Sequence, residues 1–104
     1  MLKAGDIVLA HIQYMDTFET KLRPALILFE EYDNFVVAGV TSNTSMDGIP
    51  LTRKDGAIKE SVIKLNYIFT ISKMMILKPL FSLAMEKKKM VYEELVKRVH
   101  HLRG

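Results

Sequence analysis

Arg23-Pro24-Ala25-Leu26-Ile27-Leu28-Phe29 and, after a polar break at Glu30-Glu31-Tyr32-Asp33-Asn34, Phe35-Val36-Val37-Ala38-Gly39-Val40-Thr41 decide how this chain is read. Both runs are short, apolar and bounded by turn formers, which predicts two successive strands. Pro24 is expected at the first residue of its strand, where a missing N–H costs no ladder bond. The second run is almost continuously apolar. That pattern predicts burial on both faces, one in the core and one at a subunit contact.

Outward from this pair the signals stay short. Ile7 to Gln13 reads as a strand opened by the turn-like Gly5-Asp6, and the polar stretch Asp16 to Lys21 as a loop. Asn43 to Pro50 and Arg53 to Ala57 are rich in turn formers and bracket a brief extended piece, Ile49-Pro50-Leu51-Thr52. Glu60 to Ile63 and Tyr67 to Ile71 read as two further strands separated by Lys64-Leu65-Asn66. Many short strands with small turns predict a closed or strongly curled antiparallel sheet, which also disposes of exposed edges. After Pro79 the period changes. Val91, Leu95 and Val99 form an i, i+4, i+8 stripe with Ala84, Lys88 and Leu102 near its ends. Glu86 in the first turn and Lys97, Arg98 and His100 in the last suit a helix dipole. The expectation is a single domain over residues 1–104, mainly β, with a small barrel over about 5–77 and a C-terminal helix over about 84–102.

Composition narrows the function classes. A chain of 104 residues with 49% hydrophobic and 26% charged residues is too short for a two-lobed enzyme and too apolar for a disordered chain. With no cysteine it has no disulfide, thiolate ligand or thiol nucleophile. Asp6 interrupts the start before any leader-length apolar stretch, and the longest apolar run, Phe35 to Val40, is far short of the ~20 residues that span a bilayer. A cytoplasmic protein with no membrane association is expected. The formal charge is +3, with net −1 over residues 1–77 and net +4 over 78–104, so the basic excess lies in the C-terminal segment. Such a balance is compatible with a nucleic-acid partner.

Several side chains are candidates for chemistry. Arg23 stands between a polar loop and a strand, where a guanidinium can clamp a phosphate bidentately and offset charge developing on it. Thr41 and Ser42 close the second strand, and their hydroxyls can donate to a phosphoryl oxygen. If the two strands pair, Arg23 and Thr41 reach the same end of one sheet. Glu19 and Asp16 precede Arg23 and are candidate general bases, and His11, inside the first strand, is a further possible proton acceptor. Lys21, Lys64, Asn66 and Lys73 are candidate RNA contacts, Asn66 because its amide both donates and accepts. Phe18, an aromatic in mid-loop, is a candidate for stacking on a base, as are Tyr14, Tyr67 and Phe69. No histidine and carboxylate set has metal-ligand spacing, and no Gly-rich phosphate loop or nucleophile elbow is present.

Gly5-Asp6-Ile7-Val8, Arg23-Pro24-Ala25-Leu26-Ile27-Leu28, Val40-Thr41-Ser42 and the run Glu60 to Lys73 together resemble the MazF/PemK (Kid) family of toxin ribonucleases. The resemblance spans nearly the whole chain. It implies an SH3-like barrel with a C-terminal helix, a homodimer, a cognate antitoxin protein as partner and a DNA-binding complex with it. It also implies cleavage of single-stranded RNA with neither metal nor cofactor, leaving 2′,3′-cyclic phosphate and 5′-hydroxyl ends. The family's arginine falls on Arg23 and its strand-end threonine on Thr41. The family's glycine two places before the arginine is Lys21 here. Its upstream glutamate position carries Phe18, with Glu19 one step away, and Thr17 stands where some members have histidine. Lys64 and Asn66 occupy the arginine and aspartate positions of the Kid-like branch, and Phe69 a later arginine position. Asn66 is no general base and Lys64 is a point charge rather than a fork. The substitutions motivate an alternative, a catalytically silent barrel that binds RNA or an antitoxin-like protein. A gyrase-directed toxin of the CcdB type fits the Arg-Pro and Thr-Ser landmarks less well.

Overall fold

The computed structural model describes residues 1–13 and 20–104. Six strands, β1 (Asp6–Ile12), β2 (Lys21–Glu31), β3 (Asn34–Thr41), β4 (Ile49–Leu51), β5 (Ser61–Ser72) and β6 (Ile76–Ser82), form one antiparallel sheet in the order β4-β5-β3-β2-β1-β6. Helix α1 (Met85–Val99) follows and ends in a short 3-10 turn, His100–Arg103. The fold is mostly β, a curled half-barrel sheet with one C-terminal helix, and is consistent with a small barrel.

Both faces of the central strands are buried, as the apolar run in β3 predicts. On one face Ile7, Leu26, Ala38, Val40, Ile63 and Leu65 pack with Val91 and the half-buried Leu95 of α1. On the other, Val8, Ala10, Ile12, Ala25, Ile27, Phe35, Val37 and Ile71 form a second cluster. The second face is therefore covered by the chain's own curl, where a subunit contact was expected. Of the expected helical stripe only its first half docks: Val91 is buried, but Val99 is 55% and Leu102 86% exposed.

Other expectations shift for local reasons. Lys21 is the first residue of β2 rather than loop, because it pairs with Ile12. Pro24 lies inside β2, opposite Leu9, yet the pairing with β3 begins only at Ala25. At Pro24 the strand thus has its ladder partner on one side only, and the missing donor is tolerated there. The two expected strands on either side of Lys64-Leu65-Asn66 are one strand, β5, interrupted by a bulge. Strand β6 escapes the sequence reading because Pro79 and Lys78 break its pattern; it is an edge strand, where proline is admitted.

One buried carboxylate ties the first strand to the last. Asp6, 4% exposed, accepts from the Ser82 hydroxyl at 2.6 Å and from the Lys3 backbone N–H at 3.0 Å, with the Lys3 ammonium 3.6 Å away. Gly5 turns the chain into β1 at φ 95°, and a Cβ there would run into the aliphatic stem of Lys88 on α1. From the neighbouring position on the helix, the Lys87 ammonium donates to the Pro50 carbonyl at 2.7 Å and lies 3.4 Å from Asp55. Asp55 also accepts from the Thr52 N–H at 2.7 Å.

Burial raises the affinity of the Asp6 carboxyl for its proton, but the Ser82 and Lys3 donors and the Lys3 charge together outweigh it and hold the group below the usual carboxylate range. Asp55 is likewise lowered, its desolvation outweighed by Thr52 and Lys87. Depressed folded-state values contribute stability above the unfolded value of about 3.9, and that contribution is lost as pH falls through the folded values. Asp6→Asn is therefore expected to cost about 1–3 kcal/mol at pH 7. Urea titrations between neutral pH and pH ~3 should show a shallower acid loss in this variant than in the parent chain, and shallower still when Asp55→Asn is added.

Candidate functional site

Strand alternation brings the predicted pair together. Ala25 and Gly39 are register partners; Arg23 lies two residues before the first and Thr41 two residues after the second. Both therefore sit at the same end of the β2–β3 pair and point to the same face, the one carrying Ala10, Ala25 and Val37. Paired residues share a face, so Ala10, the partner of Arg23, confirms the side. The β2–β3 ladder stops at Ala25 and Gly39, so Arg23 and Thr41 stand just beyond it, each half-buried and each paired on its other side, with Ala10 and Val62. Lys21 joins the same face two residues earlier on β2 and is exposed.

Thr41 is held by the loop it opens. Its Oγ1 accepts the Asn43 N–H at 3.1 Å, a contact that leaves the hydroxyl hydrogen to donate elsewhere. Asn43 in turn accepts from both the N–H and the hydroxyl of Ser45, at 3.2 and 2.6 Å, and its carbonyl accepts the Met46 N–H at 3.1 Å. The segment 42–45 is exposed and rich in short polar side chains that bond back to their own backbone, the reason it turns rather than extends.

The connection from Thr41 to Ile49 cannot run around the sheet edge. Strands β3 and β4 flank β5 on opposite sides, so residues 42–48 pass across one face of β5. Two contacts identify that face. The Lys64 ammonium donates to the Asp47 carbonyl at 2.5 Å, and a Cβ on Gly48 would collide with the Val62 side chain and the Ile63 carbonyl. Val62 and Lys64 pair with Thr41 and Gly39, so the loop crosses on the face of Arg23 and Thr41. Lys64, expected as an RNA contact, is 8% exposed beneath the crossing, with its ammonium 5.6 Å from the centre of the Tyr67 ring.

The remaining predicted residues are distributed unevenly. Asn66 is exposed in the β5 bulge beside Lys64, and Ser42 is exposed next to Thr41. His11 is exposed opposite Leu22, on the strand face away from Ala10 and Arg23. Lys73 follows Ser72, which pairs with Asn34 at the far end of β3, roughly 23 Å from Thr41 by strand rise. Tyr14, Asp16, Thr17, Phe18 and Glu19 lie outside the described residues. Among the described residues no group of three or more His, Asp or Glu side chains is placed to hold a metal ion, and no helix is long and apolar enough to cross a membrane. Sequence reading missed Asp47 and Gly48 as parts of this region. The Asp-Gly pair signals a turn, but only the strand order shows what the turn crosses.

Residues 3–99 match the family described as PemK-like, MazF-like toxin of type II toxin-antitoxin systems. The chain belongs to that family of toxins, whose members are generally endoribonucleases and whose systems imply an antitoxin partner. No curated protein sequence matches the chain.

Removing the Thr41 hydroxyl tests the local order of the site. Thr41→Val should cost about 0.5–1.5 kcal/mol and speed amide exchange at Asn43 to Ser45, whereas Thr41→Ser should keep both near the parent values.

Proposed function

We propose that this protein is a metal-independent, cofactor-free endoribonuclease toxin that cleaves single-stranded RNA. The observation that carries the reading is the shared face and shared sheet end of Arg23 and Thr41, within a chain of this family. The substrate's own 2′-oxygen attacks the adjacent phosphorus and its proton passes to a base. The bond from phosphorus to the 5′-oxygen breaks, and that oxygen takes up a proton. The products carry a 2′,3′-cyclic phosphate and a 5′-hydroxyl. RNA rather than DNA is the substrate because only RNA carries this nucleophile.

Arg23 neutralises the charge that accumulates on the non-bridging oxygens. Its role is electrostatic, since a delocalised guanidinium gives up a proton poorly and instead offers a fixed charge and a fork of N–H donors. Thr41 donates its hydroxyl hydrogen to a phosphoryl oxygen. Glu19 is the proposed proton acceptor; His11 is the less favoured one, because its strand position turns it to the other face. Lys21, Ser42 and Asn66 are proposed to contact the RNA near Arg23, with Phe18 stacking on a base. Lys73 lies too far along the sheet to share that phosphate. The protein acts in the cytoplasm as a homodimer whose activity is restrained by a cognate antitoxin. A homodimer would sediment at twice 11.9 kDa.

Arg23→Ala and Thr41→Ala should each lower the cleavage rate about 10²–10³-fold, the range for losing one transition-state donor, with the fold retained by circular dichroism. Arg23→Lys should remain impaired, because a single ammonium does not reproduce a bidentate fork. Cleavage should persist in excess chelator, and product ends should be cyclic phosphate. A second reading, an RNA-binding barrel without catalysis, is favoured by one feature: Lys64 and Asn66 supply neither a fork nor a base. Micromolar binding of unstructured RNA with intact RNA recovered would establish that reading instead.

A further inference from the structure

We propose that Lys64 is a positioning residue, which fixes the loop after Thr41 across β5 and so orients the Thr41 hydroxyl, and that it does not itself contact the RNA phosphate. The inference rests on the ribonuclease reading above for its catalytic consequence, but its structural half stands on geometry alone.

Lysine is almost never buried unless its ammonium is paired. Here it is 8% exposed, and what meets it is a main-chain carbonyl, that of Asp47, together with the face of Tyr67. Both partners compensate desolvation without neutralising the charge. Neither Asp47 nor Tyr67 lies near Lys64 by simple strand pairing. Asp47 arrives by the loop crossing, and Tyr67 by the bulge, which removes Leu65, Asn66 and Tyr67 from the β3–β5 ladder. The ammonium is therefore a strut between the bulge and the underside of the loop. Gly48 performs the complementary task, since its missing side chain lets the next residue of the loop lie against Val62 and Ile63. Thr41 is at the near end of the same loop, joined to it through Asn43. A loop that lifts from β5 takes with it the turn that sets the threonine hydroxyl.

A direct phosphate contact and a strut differ in their dependence on salt. Each phosphate charge neutralised on a single strand contributes about 0.7 to the slope of log affinity against log salt. Lys64→Met should leave that slope unchanged for a 2′-fluoro oligoribonucleotide, which binds but has no nucleophile. The same variant should lower the single-turnover cleavage rate of the matching RNA at least tenfold and accelerate amide exchange in residues 43–48. Gly48→Ala removes no charge yet displaces the same loop, and should reproduce both effects. Thermal unfolding monitored by circular dichroism separates these local effects from loss of fold, and if Lys64→Met unfolds, Gly48→Ala carries the test alone. A slope shallower by about 0.7 with unchanged loop exchange would make Lys64 a phosphate ligand and overturn the proposal, as would cleavage and exchange both unaltered. If the parent chain cleaves no RNA, the ribonuclease reading fails by itself. Loop exchange in the two variants then decides the strut, which stands if exchange accelerates and falls if it does not.

Discussion

Ala38 and Gly39 are neighbours on β3, yet their partners on β5, Ile68 and Lys64, are four residues apart. That mismatch is the constraint on which the rest of the candidate site depends. A bulge of this size bends its strand and increases the local twist, so the sheet curls instead of lying flat. The curl encloses the cluster of Val8, Ala10, Ala25, Val37 and Ile71, while Leu65, displaced within the bulge, helps build the cluster under the helix. The same displacement sets Lys64 opposite Gly39 and places Tyr67 under its ammonium. The route of the polar loop over β5, and with it the setting of Thr41, follows from a local irregularity in one strand.

The strands and helix were legible where apolar pattern alone decides them. The β3 run is buried on both faces because all six residues from Phe35 to Val40 are apolar or lack a side chain, and no polar group had to be accommodated. The stripe of α1 docks only in part because Val99 and Leu102 continue it past the sheet that would have covered them. Periodicity records which residues share a helix face, not how far the partner surface extends. Strand β6 was missed for the converse reason, since its proline and lysine are permitted by its position at the edge, a tertiary fact.

The site divides in the same way. Arg23 and Thr41 were readable as a pair because each lies at a fixed distance from a strand-forming run, and antiparallel register does the rest. Lys64 was not readable. Its identity as a cation points to solvent or ligand, and only the crossing loop reveals that it is covered. A hydrophilic residue inside an otherwise apolar strand stretch, Val62-Ile63-Lys64-Leu65, was the one local sign that its ammonium is covered.

The link from β1 to its edge neighbour β6 through Asp6 and Ser82 also governs the order in which the molecule can be made. Strand β1 is the first to leave the ribosome and β6 the last, yet they are neighbours, and the carboxylate of one awaits the hydroxyl of the other. Until residue 82 has emerged, the nascent chain carries β1 with an unpaired flank and a buried-type acid lacking its strongest donor. Pairing across so many residues carries a large loop-closure entropy and slows acquisition of the native state. The strands that bear Arg23 and Thr41 are synthesised early, but the framework that holds them is finished only once β6 has emerged to pair with β1.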